Sequence, residues 1–305
     1  MQQISGAEAR SRSLFTVPPR LAGLVALTKP RIIELLLITT VPTMFVASRT
    51  VPSFRLVALT VIGGTFAAGG ANAFNMLYDR DIDAVMNRTK RRPLVSGAVS
   101  PADALVLSIA LEVAAFALLW TTVNLLSALL ALAAALFYVG VYTVWMKRRY
   151  KSNIVIGGAA GAVPTLVGWS AVTGHLAAPA WVLFGIVFVW TPPHFWALAI
   201  RHRADYSRAS VPMLPSVADT SKVVRQIIAY TVLVTALSVL LVFVTHLGWV
   251  LFGVTACLDA GFLYYAFALV KDASPKRAMK LFGYSITYLS ALFCAMGVVA
   301  IVRHP

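Results

Sequence analysis

Apolar residues fall along this chain in nine continuous blocks, at roughly 32–48, 55–78, 102–121, 125–145, 153–173, 180–200, 226–246, 249–270 and 281–302. Each approaches the ~20 residues that a helix needs to cross a bilayer. The blocks are unbroken rather than alternating, so strands of a membrane barrel are excluded. The stretch 102–145 is too long for one span, and Thr121-Thr122-Val123-Asn124 is the turn that divides it. The pattern predicts an all-α membrane protein of nine transmembrane helices, with 1–31 as an N-terminal tail and 32–302 as the membrane domain.

Composition agrees: of 305 residues, 59% are hydrophobic and 12% charged, too apolar for a water-soluble domain. The net charge of +15 would suggest nucleic acid in a soluble protein. Here it sits in short connections, and it reads as membrane orientation with no nucleic-acid partner. With the N-terminus inside, 23 of the 26 Lys and Arg fall on the inner side, and only Arg49, Arg55 and Arg303 outside. That split supports an odd number of spans and an outer C-terminus. The first 31 residues lack an apolar core and a clear cleavage site, so a retained cytoplasmic tail is expected rather than a signal peptide. The inner connections 79–101 and 201–225 are long and polar, which places function on the cytoplasmic face. The apolar blocks that feed them run the same way, which hints at two parallel four-helix halves and an appended ninth helix. Cys257 and Cys294 lie in apolar blocks without metal-ligand spacing and are expected as small core residues.

The chemistry concentrates in an acidic ladder. Asn75, Asp79 and Asp83 are four apart and share one helix face, with Asp81 well off that face. Acids this close repel unless a cation offsets them. Mg²⁺ takes few carboxylates, several waters and phosphate oxygens. A Mg²⁺ ion on Asp79 and Asp83, with Asn75 as neutral ligand, fits that demand. The competing reading is a solvated helix end paired to Arg80 and Arg88. Gly63, Gly64, Gly69 and Gly70 on the same block would allow close approach.

Two further clusters face the same side. Lys147, Arg148, Arg149 and Lys151 follow Tyr142 and precede Asn153; with Arg88, Lys90, Arg91 and Arg92 they exceed what topology requires and suit an anionic ligand. Gly157 and Gly161 read as a helix-packing pair. In the third stretch Pro192-Pro193 interrupts a span just before His194 and Trp196. A ligand or acid–base role for His194 competes evenly with a structural one. His202 lies at the interface, and for Asp205 a salt bridge to Arg201 or Arg208 competes with a site role. Glu34 has Lys29 and Arg31 beside it for pairing. Glu112 and Asp259 are acids within spans, and each should face the bundle interior.

Four blocks carry a resemblance: Asp79-Arg-Asp81-Ile-Asp83-x-x-Met86-x-Arg88-Thr89-x-x-Arg92-Pro93, Asn153-Ile-Val-Ile-Gly-Gly158, Thr191-Pro-Pro-His-Phe-Trp-Ala-Leu198, and Asp205-Tyr206 with Pro212-Met-Leu-Pro215. Through them, from about Leu27 to the C-terminus, the chain resembles the UbiA-type intramembrane prenyltransferases, and within them the branch whose acceptor is heme B. The family's second acidic motif falls here on His194, Arg201 and Asp205, and only the last is a carboxylate, which puts a second Mg²⁺ in doubt. Met76, where the wider family often has Asp, the segment Arg149-Tyr150-Lys151 and the lone Pro164 also depart from the pattern.

The resemblance implies a UbiA-like bundle with a cytoplasm-facing active-site cavity, and the lack of a transit-like presequence points to a bacterial inner membrane. It implies farnesyl diphosphate, Mg²⁺ and heme B as the chemical partners and heme O as product. Asn75, Asp79, Asp83, Arg88, Arg92, Lys147 and Arg148 would serve the diphosphate. Tyr142, Asn153, His194, Trp196, His202 and Asp205 would line the heme. Phe74, Tyr78, Tyr142 and Trp196 would shield the allylic cation. An aromatic quinone precursor as acceptor predicts a full second acidic motif. A transporter for an anionic solute predicts polar broken helices at mid-membrane. It stays open whether a heme-handling or oxidase-assembly protein docks on the inner loops.

Overall fold

The computed structural model describes residues 19–303, without the side chains of Ile32, Leu35 and Leu36; the expected tail over 1–18 and the last two residues lie outside the described part. Among the described residues all regular structure is helical. Helix α1 (Pro19–Leu27) falls inside the segment expected as tail, and α2 (Pro30–Ser48) follows it. Then come α3 (Phe54–Tyr78), α4 (Arg80–Val85), α5 (Pro101–Thr122) and α6 (Leu125–Leu136), which continues as a π-helix over Phe137–Met146. Next are α7 (Asn153–Thr173), α8 (Ala178–Arg201), α9 (Arg203–Arg208) and α10 (Leu214–Val217). The chain closes with α11 (Thr220–Thr245), α12 (Gly248–Lys271) and α13 (Pro275–Arg303).

Among the described residues eight helices are long and apolar enough to cross a membrane: α3, α5, α6 with its π-helix, α7, α8, α11, α12 and α13. The ninth expected span, α2, has 19 residues but only Leu37–Ser48 as its apolar stretch. Arg31 and Glu34 occupy its first turns, so its beginning belongs to the charged end of the bundle. Local chemistry sets the boundaries. Ser53, Ser100 and Asn124 cap α3, α5 and α6, accepting from Leu56, Asp103 and Ser127 at 3.3, 3.1 and 2.8 Å. Asn124 also donates to Ser170 of α7, at 2.8 Å, which ties the predicted turn to the next helix. Pro192 and Pro193 do not interrupt α8.

Helices α7 and α8 form the centre: 61% of the most apolar window of each is buried, against 22% in α5. They pack on each other, with α2 against α7 and α13, and with α11 and α13 against α8. Small residues set the closest approaches. A side chain at Gly70 would meet Ser108 O and Glu112 Oε1 of α5, each 2.9 Å away, and one at Gly158 would meet Thr191 of α8. Gly157 faces Tyr142, whereas Gly161 faces open space, so the packing pair is Gly157-Gly158 and not Gly157 with Gly161. Asp259 is buried, as expected of an acid in a span; Ser238 lies 3.0 and 2.9 Å from its two oxygens, and the Tyr288 hydroxyl donates to Oδ1 at 2.8 Å. Cys257 and Cys294 are exposed on the outside of the bundle. The core reading fails for them because lipid is as apolar as the interior.

Candidate active site

The ladder forms where α3 meets α4. Asp79 is the joint residue, with φ −86° and ψ 4°, yet the chain of backbone bonds continues: Asp79 N donates to Asn75 O and Asp83 N to Asp79 O, each at 2.9 Å. Asn75, Asp79 and Asp83 thus stay on one face and all are buried. Burial of two carboxylates demands partners, and each acid has its own cation. Lys147 Nζ pairs with Asp79 Oδ2. Arg92 pairs with Asp83 Oδ2 at 2.6 Å. Arg148 grips the off-face Asp81 through both oxygens at 2.6 Å and lies over the Tyr78 ring, 4.8 Å from its centroid. Those hydrogen bonds from Arg148 hold the Asp81 carboxyl below the usual carboxylate range.

The π-helix brings Lys147 in. Lys147 N donates five residues back to Tyr142 O at 2.8 Å, the hydrogen-bond step of a π-helix. In this geometry both Thr143 and Lys147 reach the ladder: Asn75 Nδ2 donates to Thr143 Oγ1 at 3.1 Å and to Asp79 Oδ2 at 2.8 Å. Asn153, at the start of α7, donates to Lys147 O at 3.2 Å and so fixes the turn that carries the lysine. Tyr142 stacks on Tyr138 with centroids 5.4 Å apart. It also packs against a buried cluster of Ile82, Met86, Ile154, Ala199, Tyr206, Val211 and Met213, which joins the connections 79–101 and 201–225.

Lys29 is a site residue that the sequence did not reveal. It was expected beside Glu34, but its Nζ donates to Asn75 Oδ1 at 2.8 Å. It occupies the joint of α1 and α2 at φ 53°, a left-handed conformation that turns it inward. Burial first, then Arg92 and Lys147, lower its ammonium to about 7, against the pull of Asp79 and Asp83. Thr143 was likewise missed.

The residues expected around a second substrate divide. His194 is buried, stacked between Trp190 and Phe282, with Nδ1 2.7 Å from the Ser285 hydroxyl. Trp196 is 2% exposed and packs edge-on to Tyr230 of α11, in the main core. Two residues apart on a helix are about 200° apart, so Trp196 points away from His194 and shields nothing at the ladder. Asp205 is bound to Arg208, accepts from Asn87 N at 3.4 Å and has His202 Nδ1 at 4.0 Å. It fastens the connection 201–225 to the loop after the ladder. Arg88, expected at the diphosphate, is exposed and hydrogen-bonds Tyr206. A cavity of about 220 Å³ lies between the end of α8 and the starts of α11 and α13, lined by Ile200, Arg203, Thr220 and Pro275, and it does not touch the ladder.

Among the described residues no three His, Cys, Asp or Glu side chains converge on one point as a metal cage. The ladder instead offers two buried carboxylates and an amide. Asp79 Oδ1 is buried with no hydrogen-bond partner, and Arg148 lies 3.6 Å from it. An orphaned carboxylate oxygen beside a second carboxylate suits Mg²⁺, which takes its remaining ligands from water and phosphate.

A model of the UbiA prenyltransferase family matches residues 36–296. A Streptomyces coelicolor protein named protoheme IX farnesyltransferase is 49% identical over 290 residues, covering 93% of this chain and 92% of that protein. A Mycobacterium avium protein of the same name is 46% identical, with 99% and 98% covered. Among solved structures, a digeranylgeranylglyceryl phosphate synthase superposes with a TM-score of 0.77 at 21% identity, over 93% of this chain and 99% of the other. A UbiA homolog from Archaeoglobus fulgidus bound to GPP and Mg²⁺ superposes with a TM-score of 0.67 at 19% identity, over 92% and 99%.

Proposed function

The chain belongs to the UbiA prenyltransferase family, and we propose that it joins the farnesyl group of farnesyl diphosphate to a vinyl group of heme B. Water adds in the same reaction, so that farnesyl diphosphate, heme B and water give heme O and diphosphate. The observation that carries the donor half is the buried ladder in which every acid has its own cation. The acceptor half is supported by relatives named protoheme IX farnesyltransferase that are 46–52% identical along nearly the whole chain.

Asp79 and Asp83 would hold Mg²⁺, with the Asn75 amide oxygen as a third ligand. An ion held there would neutralise the diphosphate. Lys147, Arg92, Arg148 and Lys29, already gathered on the ladder, receive the charge that develops on the leaving group. The allylic C–O bond breaks as diphosphate leaves, the heme vinyl attacks the resulting allylic cation, and water captures the carbocation formed beside the porphyrin and releases a proton. Apolar walls with Phe74, Tyr78 and Tyr142 keep water from the first cation. Asn153 keeps the Lys147 turn in place and Asp205 clasps the two loops, while His194 and His202 belong to the heme side. The protein is an integral membrane protein, and we place the ladder, the basic loops and the N-terminus on the cytoplasmic side of a bacterial inner membrane. Both substrates carry lipid-soluble parts, and the diphosphate stays in water at that boundary.

The test is to give the purified protein heme B, farnesyl diphosphate and Mg²⁺ and to weigh the extracted heme. The expected product carries a hydroxyethylfarnesyl group. An unchanged heme mass beside an active control enzyme sinks the reading.

A further inference from the structure

The hydrogen bonds around His194 fix which of its nitrogens carries the proton. Nδ1 lies 2.7 Å from Ser285 Oγ, and Ser285 Oγ lies 2.7 Å from the carbonyl oxygen of Phe282. A serine hydroxyl has one hydrogen, and a carbonyl oxygen only accepts. The Ser285 hydrogen therefore goes to Phe282, and the Ser285 oxygen accepts from Nδ1–H of His194. The opposite roles would press two acceptor oxygens together at 2.7 Å with no hydrogen between them. The serine itself is held: it is fully buried, and its backbone carbonyl accepts from Trp190 Nε1 at 2.9 Å. Trp190 and Phe282 clamp the two ring faces, with centroids 4.2 and 4.5 Å away.

We propose that Ser285 is a positioning residue that locks His194 in the Nδ1–H tautomer, so that Nε2 offers its lone pair to the iron of heme B. The identity of the acceptor rests on the function proposed above; the tautomer does not. The groups against the ring are one hydroxyl and three aromatic side chains, Ser285, Trp190, Phe195 and Phe282. An imidazolium in that setting is a buried charge without a counter-charge. Ligation needs no proton, so the surroundings favour a ligand over a proton acceptor. A metal-bound histidine ordinarily donates its other N–H to a fixed acceptor, and loss of that acceptor weakens binding by about 10–100-fold.

The test uses the full chain, labelled with ¹⁵N-histidine, and reads the His194 signal, assigned by its absence in His194→Phe. Wild type and Ser285→Thr, which keeps the hydroxyl, should show Nδ1 protonated and Nε2 bare. Ser285→Ala should lose that preference. Titration with heme B, followed by visible absorption, should show about 10–100-fold weaker binding in Ser285→Ala and recovery in Ser285→Thr. A wild-type His194 protonated at Nε2 overturns the inference, and so does a Ser285→Ala protein with unchanged tautomer and heme spectrum. Should Ser285→Ala fail to fold, the wild-type and Ser285→Thr signals still decide. The correct tautomer and heme spectrum without any farnesylated heme overturns the proposed function and leaves the role of Ser285 standing.

Discussion

Two helix ends in this protein share a backbone device and differ in chemistry. Helix α3 passes into the six-residue α4 through Asp79, and α8 passes into the six-residue α9 through His202. The joint residues have φ −86° and ψ 4° at Asp79 and φ −103° and ψ 21° at His202, a sparsely used region. Both short helices carry an acid in their first turn, Asp81 and Asp83 in one and Asp205 in the other, where the helix dipole favours it. At the first joint buried carboxylates alternate with cations brought from three other segments. At the second, the imidazole of the preceding helix is wrapped in aromatic rings, and the one carboxylate is spent holding two loops together. A repeated backbone thus carries a charged cluster at one end and a largely uncharged, aromatic one at the other, which the proposed function assigns to the donor and to the second substrate.

The comparison breaks most sharply at the ladder. Asp79→Asn and Asp83→Asn should each lower heme O formation by about 10²–10³-fold or more, the loss that follows removal of a main electrostatic contact to a developing charge. Heme B binding, read by visible absorption, should persist in both. Turnover near wild type in either variant removes that residue from the donor site. Equal loss of heme binding would mean that the two ends do not serve different substrates.

The division between the ends was legible in part. The ladder could be read because spacing by four puts Asn75, Asp79 and Asp83 on one face and turns Asp81 away, where it meets Arg148. The helices could be read because the bilayer imposes their length. Lys29 could not: its partner Asn75 is 46 positions away, and only the left-handed joint aims it there. His194 and Trp196 look alike in sequence, since hydropathy does not tell which buried face meets a hydroxyl, as His194 meets Ser285, and which meets only the core. The same blindness misplaced Cys257 and Cys294. The π-helix had no signal beyond a run of aromatic and β-branched residues, yet it decides that Lys147 reaches Asp79. Ser285 was one small polar residue among several in an apolar block.

Asp205 sharpens the comparison with a smaller effect. If it is a clasp between the loops, Asp205→Asn keeps one acceptor oxygen for Asn87 N and loses the charge that holds Arg208. A hydrogen bond to a charged group contributes about 1.5–3 kcal/mol; the amide keeps one of the two bonds, so a reduction in kcat/KM of about tenfold, the lower end of that range, is expected. Limited proteolysis of the connection 201–225 should speed up in step. The Mg²⁺ concentration for half-maximal rate should not move. A large rise in that concentration would make Asp205 a metal ligand, and the second end would then be a weakened copy of the first.

The smallest expected effect lies in pH and concerns Lys29. Without substrate its ammonium is lowered to about 7, first by burial and then by Arg92 and Lys147. Below pH 7 it is charged and ready for the diphosphate. Above pH 7 it is neutral, and binding an anion must take up a proton. Affinity for farnesyl diphosphate should therefore fall as pH rises through 7, by at most about tenfold per unit, because one proton is linked to binding. Lys29→Arg stays charged throughout, so its KM should lose this dependence while kcat changes little. Titration of the diphosphate itself runs the other way, since its more ionised form binds cations better, and it is common to both proteins. An identical pH profile for wild type and Lys29→Arg would place Lys29 outside the donor site. It would leave Asn75 with a structural lysine and confine the ladder's cations to Lys147, Arg148 and Arg92.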